Sequence, residues 1–200
     1  MLLSVLDYIG VFVFAVSGAI AASRRHLDVL AFVFFATMTG VGGGTVRDLL
    51  LDVPVFWTVS PEYLLVCASA ALLMWFAARF AEEWGKPLRW ADAIGLSAYC
   101  VMGAAKALAI GSSPIVAVVM GVTTATFGGV MRDLVAGEPS AIIKPEIYVT
   151  AAFLGATVFA LLASLDVNAW LAAAVGFCAA FIVRAGAILR GWSLPGYSRE

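Results

Sequence analysis

A motif that occurs twice, each time inside a long apolar stretch, limits this chain more than any other feature. Thr39-x-x-x-Gly43-Gly44-x-x-Arg47-Asp48-Leu49 returns as Thr124-x-x-x-Gly128-Gly129-x-x-Arg132-Asp133-Leu134. Gly43 and Gly128 stand 85 residues apart, as do Arg47 and Arg132, and Asp7, Gly10 and Gly18 return at the same interval as Asp92, Gly95 and Gly103. Recurrence at one interval marks an internal repeat. Paired glycines weaken a helix, and an Arg-Asp pair burdens it in hydrocarbon, so a passive anchor has no use for either. A pathway through the membrane justifies both.

The chain of 200 residues is 63% hydrophobic and 12% charged, against about 25% charged in an ordinary soluble domain. That composition predicts a single membrane domain over 1–200, with the lipid bilayer as its surroundings. Apolar segments at about 5–23, 28–52, 62–81, 91–110, 114–136, 146–165 and 168–189 are each long enough to cross a hydrocarbon core of ~30 Å as a helix. Their continuous apolarity, without alternation at every second residue, excludes a β-barrel. A formal net charge of −1 and the lack of a lysine-rich run leave no footprint for nucleic acid. Cys67, Cys100 and Cys178 are scattered and suggest neither a metal site nor disulfides. The sequence holds no nucleophile with its base and no phosphate loop, so no enzyme and no cofactor are expected.

Seven crossings put the termini on opposite sides. Arg24, Arg25, Arg79, Lys86, Arg89, Arg132, Lys144, Arg184, Arg190 and Arg199 fall on one face, and only Arg47 and Lys106 on the other. The positive-inside tendency then places the N-terminus outside and the C-terminus in the cytoplasm. No basic leader precedes the first apolar run, which is expected to remain as a span. Three crossings separate equivalent residues, so the copies should be inverted: repeat 1 over 5–85 (helices 1 to 3), repeat 2 over 90–166 (helices 4 to 6), and helix 7 over 168–189. The predicted fold is all-α, seven transmembrane helices in an inverted 3+3 arrangement plus one. Folds of that kind commonly hold their site near the midplane, where discontinuous helices meet.

Gly42, Gly43 and Gly44 lie mid-way along the second segment, and Gly128 and Gly129 mid-way along the fifth. Each glycine costs about 0.8 to 1 kcal/mol relative to alanine, so both helices are expected to bend or unwind there. Freed carbonyl oxygens near Gly43 and Gly128 would transiently hold a partly dehydrated cation. Thr39, Thr45, Thr123, Thr124 and Thr126 either add neutral oxygens to this path or bond back to the preceding turn. The absence of a carboxylate at the break suits weak binding of a monovalent ion. The alternative for the glycines is close helix packing.

Arg47 and Asp48, like Arg132 and Asp133, are sequence neighbours that project about 100° apart on a helix and should seek partners elsewhere. Bridges from Asp7 to Arg47 and from Asp92 to Arg132 would form a two-fold related set. Otherwise Asp7 and Asp92 cap their helices and the arginines snorkel. Lys106 is the one lysine inside a span. It either snorkels to the interface or faces the path and gates it.

On these features the chain resembles the trimeric intracellular cation (TRIC) channels, in their bacterial and archaeal branch. The likeness rests on seven spans, the inverted repeat, Gly42-Gly43-Gly44, Gly128-Gly129 and the Arg-Asp pair after each. The resemblance implies a homotrimer in the bacterial inner membrane, an hourglass pore inside each protomer at the kinked second and fifth spans, and passage of potassium with modest rejection of sodium. It also makes Lys106 the candidate for the basic gating residues that eukaryotic members carry on span four. The same repeat carries the label of a glycine-transporter-like unit, so a secondary transporter for a small amino acid such as glycine is the alternative, and a non-conducting scaffold a third reading.

Overall fold

The structure, a computed structural model, describes residues 2–77, 85–143 and 147–194. Arg79, Lys144 and Arg199, used above for sidedness, lie outside the described residues. The elements are α1 (Leu2–Arg24), α2 (Val29–Leu50), α3 (Phe56–Val59), α4 (Glu62–Ala77), α5 (Gly85–Ala109), α6 (Pro114–Val135), α7 (Val149–Ser164) and α8 (Ala169–Arg190). Seven of these overlap the expected segments, with α5 beginning earlier than expected, at Gly85, and α3 is an additional single turn; positions 78–81 of the third expected segment and 146 of the sixth lie outside the described residues. Among the described residues four helices, α1, α2, α6 and α8, are long and apolar enough to cross a membrane.

Helix ends obey the same interval as the motif. Asp28 caps α2 by accepting from the Ala31 N–H, and Ser113, 85 residues on, caps α6 by accepting from Val116. Such caps satisfy backbone donors that the helix leaves unpaired. Left-handed residues end the turns at His26 and Gly111 and again at Asp52 and Gly137. Each matched pair shares one interval, so the repeat extends to backbone conformation.

Packing relies on small side chains. Ala15, Ala19, Ala36, Ala70, Ala104 and Ala117 are fully buried, while Leu30, Leu65, Ile115 and Leu134 remain largely exposed on the outside. This reversal of the water-soluble pattern is the one hydrocarbon solvent favours, since packing and not apolar burial then drives helix contact.

Both glycine clusters depart from the expectation drawn from sequence. α2 is one continuous helix from Val29 to Leu50 and α6 from Pro114 to Val135, without an unwound turn. A Cβ on Gly43 would overlap the Thr124 carbonyl oxygen, and one on Gly128 the Thr39 carbonyl oxygen. Thr39 thus meets Gly128 while Gly43 meets Thr124, so α2 and α6 cross antiparallel with their backbones in contact. The glycines act here by letting the helices touch. Dispersion attraction along that crossing outweighs a propensity cost of about 1 kcal/mol per glycine.

Candidate functional site: the α2–α6 crossing and its charged ends

The crossing is closely packed. Thr39, Thr124 and Thr126 are buried, and their hydroxyls donate to the Phe35, Met120 and Val122 carbonyls one turn back, at 2.7, 2.6 and 2.8 Å. Thr45 does the same to Val41 at 2.8 Å and accepts from the Trp57 indole N–H at 2.8 Å. Gly42 faces the Met131 methyl, and Gly44 faces the Phe56 ring. Tyr99 donates to the Gly40 carbonyl at 3.3 Å. The carbonyls expected to be open near Gly43 and Gly128 are covered, because the opposite helix lies on them.

At the C-terminal end of α2, a fully buried carboxylate collects three donors. Arg47 gives Asp48 Oδ1 both Nε and Nη2, each at 2.8 Å. Lys106 reaches over from α5 and places Nζ 2.8 Å from Oδ1 and 2.9 Å from Oδ2. The Phe56 N–H donates to Oδ2 at 2.9 Å. The Phe56 ring lies 5.7 Å from the Arg47 guanidinium and 5.8 Å from Lys106 Nζ, within the range of cation–π attraction. α3 therefore closes this end with its backbone and its ring.

The C-terminal end of α6 repeats the plan with other partners. Arg132 gives Nε and Nη2 to Asp133 Oδ1 at 2.9 and 2.8 Å, and Nη1 to Asp92 Oδ1 at 2.9 Å and to the Ser17 hydroxyl. Ala141, at the position equivalent to Phe56, donates its N–H to Asp133 Oδ2 at 3.3 Å. Tyr148 donates to Asp92 at 3.5 Å, and its equivalent Tyr63 donates to Asp7 at 2.7 Å. Arg184, buried in α8, stacks on the Tyr148 ring at 5.0 Å and donates to the Ile147 carbonyl at 3.2 Å.

Of the ion pairs anticipated from sequence, the bridge from Asp92 to Arg132 is present. Asp7 is held by Tyr63 and not by Arg47. Neither aspartate caps a helix, since Asp7 lies inside α1 and Asp92 inside α5. The Arg-Asp neighbours also pair with each other, contrary to expectation: the flexible arginine stem curls back to the adjacent carboxylate, which hydrocarbon makes worthwhile. Lys106 does not snorkel freely, because Asp48 holds it.

Comparison with known proteins follows the same architecture. The family model described as "Glycine transporter" matches twice, over residues 4–79 and 89–164. A TRIC channel orthologue from Rhodobacter sphaeroides, known from crystal structures, superposes with a TM-score of 0.93 at 45% identity, covering 96% of this chain and 99% of that one. The chain belongs to the prokaryotic TRIC family. A UPF0126 membrane protein of Vibrio cholerae is 36% identical, covering 98% of this chain and 83% of the relative. A UPF0126 inner membrane protein of Escherichia coli strain K12 is 34% identical over 100% of this chain and 98% of the relative. The solved TRIC structures it matches are channels and not enzymes.

Within this TRIC chain, sequence reasoning passed over Phe56, Tyr63, Tyr148 and Ser17, and used Arg184 only among the basic residues that set sidedness. Tyr63 and Tyr148 obey the repeat interval and could have been found by the subtraction that found the arginines. Arg184 stood inside an apolar segment, where a charge is itself a signal. Phe56 and Ser17 carried none.

Proposed function

We propose that this protein is a monovalent cation channel that passes potassium, with its path inside each protomer along the seam between α2 and α6, and that the conformation described above is its closed state. The observation that carries this reading is the near-complete superposition on a TRIC channel, joined to a seam that ends in a charged cluster on each side.

In this reading all seven long helices cross the inner membrane, with repeats over 5–85 and 90–166 inverted and helix 168–189 appended. The antiparallel crossing of α2 and α6 supports inversion. So does the ion pair between Arg24, at the end of α1, and Glu138, just past α6, at 3.4 Å, which brings the start of α2 beside the end of α6. The excess of basic residues on that side makes it cytoplasmic and leaves the N-terminus outside. The Asp48 cluster is then the outer end of the path and the Asp133 cluster the inner end. A homotrimer follows the TRIC relatives.

Opening parts α2 from α6 at the glycines. The Thr39 and Thr124 carbonyls, now lying under Gly128 and Gly43, then become the oxygens a potassium ion meets. Lys106 opposes that ion at the outer end, as a gate held by Asp48. Lys106→Met therefore raises the potassium conductance or the open fraction by about two-fold or more, because a unit charge ~4 Å from the path acts on the ion by roughly 1 kcal/mol even in water.

Purified protein in planar bilayers should show unitary currents in potassium chloride. Saturable glycine uptake by liposomes, coupled to protons or sodium and without unitary currents, would replace the channel with a carrier.

A further inference from the structure

Resting on the channel reading above, we infer that Phe14 and Tyr99 line the path and form its central barrier, a stacked pair of rings that must part before an ion can cross. The two are equivalents in the repeat, 85 residues apart. Their ring centroids lie 5.1 Å apart with the planes at 14°, which is stacking contact. Equivalent residues that touch each other lie on the axis relating the two copies. The pair therefore marks the centre of the protomer.

Its depth follows from α1 and α5. The Gly10 backbone faces the Tyr99 ring and the Gly95 backbone faces the Phe14 ring, so the two helices pass antiparallel. Phe14 comes seven residues after Asp7 in α1, and Tyr99 seven after Asp92 in α5, two turns or about 10 Å in each. The rings lie midway between the two charged ends. Each helix also touches the end beyond its ring: Ser17, one turn after Phe14, accepts from Arg132, and Lys106, two turns after Tyr99, donates to Asp48. The column between α1, α5 and the α2–α6 seam thus joins the Asp48 cluster to the Asp133 cluster, with the ring pair across its middle.

Glycines border the rings. Gly10 and Gly95 lie against them, and the Tyr99 hydroxyl donates to the Gly40 carbonyl at 3.3 Å, one turn before Gly43, where α2 meets α6. These residues offer no side chain to fill a gap once the rings move apart. Phe14 is 1% and Tyr99 4% exposed, so the centre is sealed in the closed conformation. The two members of the pair differ by the Tyr99 hydroxyl, a group that is costly to bury in hydrocarbon unless it is bonded. Its bond to Gly40 ties the ring to α2. Phe14 has no such tie, and the equivalent of Gly40 is Ala125. Parting α2 from α6 stretches the one bond that fixes the pair, and the barrier loses its hold.

Planar bilayers holding the purified protein give the test. Tyr99→Phe removes the hydroxyl and keeps the stack, so the open fraction should rise about two- to five-fold, the weight of one neutral hydrogen bond, at unchanged unitary conductance. Lining is read separately. In a background with Cys67→Ala, Cys100→Ala and Cys178→Ala, Phe14→Cys should let a cationic methanethiosulfonate, added to either side, cut the potassium current by roughly ten-fold, since a fixed cation in the middle of the path opposes the permeating ion at low dielectric. The same background without Phe14→Cys should not respond. Should Phe14→Cys fail to fold, Tyr99→Cys in that background takes its place with the same reading. A wild-type open fraction in Tyr99→Phe, or a cysteine variant whose current the reagent leaves intact from both sides, overturns the inference and leaves the channel standing. An absence of unitary currents in the wild type and in every variant removes the channel reading, and this inference with it.

Discussion

Gly43→Val and Gly128→Val leave no monodisperse folded protein, and the corresponding alanine variants lower the melting temperature in detergent by roughly 2 to 8 °C. The atom each new Cβ meets is a backbone carbonyl oxygen of the opposing helix. A side chain could rotate away, but a carbonyl in a continuous helix cannot without breaking its own hydrogen bond. The helices must therefore separate. Overpacking of this kind costs about 1 to 3 kcal/mol, and the better helix propensity of alanine returns about 1. Valine adds two further methyls in the same gap with no compensation. Gly10→Ala is the control, since its Cβ would stand an ordinary 3.4 Å from the Tyr99 ring and the helix propensity of alanine, unopposed there, should leave stability unchanged or raised by up to about 1 kcal/mol. The two crossing sites share one helix contact, so the double alanine variant should lose less than the sum, because helices already parted for one methyl admit the second. Unchanged melting of both single alanine variants would refute the crossing. A bulky residue at these glycines also cannot separate a channel from a scaffold, because it removes the fold that either would need.

The repeat was legible because identical constraints recur at one interval in caps, turns and charged ends, and a subtraction on the sequence finds them. Helix positions were legible because about 20 apolar residues between polar punctuation leave few other choices. The continuity of α2 and α6 was not, and the reason is physical. The cost of a glycine is local and can be read from sequence, whereas the contact that repays it depends on a second helix 85 residues away. Partner choice failed in the same manner. Directions of Cα–Cβ bonds suggested that Arg47 and Asp48 diverge, but a long side chain is not bound to its Cβ direction, and a buried carboxylate takes the nearest cation. Lys106 could be singled out as an intramembrane charge, yet its attachment to Asp48 needed the arrangement of α5 against α2.

Arg132→Met is expected to be the most damaging single change at either charged end, costing about 3 to 5 kcal/mol, while Lys106→Met costs less than about 1. Arg132 is 4% exposed and serves two carboxylates at once. Its removal leaves Asp92 and Asp133 buried together with no cation between them, and the Ser17 hydroxyl loses its donor too. Lys106 is one of two cations on Asp48, and its side chain remains 32% exposed, so Arg47 and the Phe56 N–H still hold the carboxylate when it is gone. The triple variant Arg132→Met, Asp92→Asn, Asp133→Asn decides whether the loss comes from stranded charge or from lost packing. Asparagine keeps an acceptor for the Ala141 N–H and for the Tyr148 hydroxyl, and a neutral cluster carries no unpaired charge. Stability in a detergent melt should therefore recover to within about 1 to 2 kcal/mol of the wild type, as replacing a whole buried ion network by neutral groups is often tolerated. If the triple variant is no better than Arg132→Met alone, the arginine acts by its volume and not by its charge.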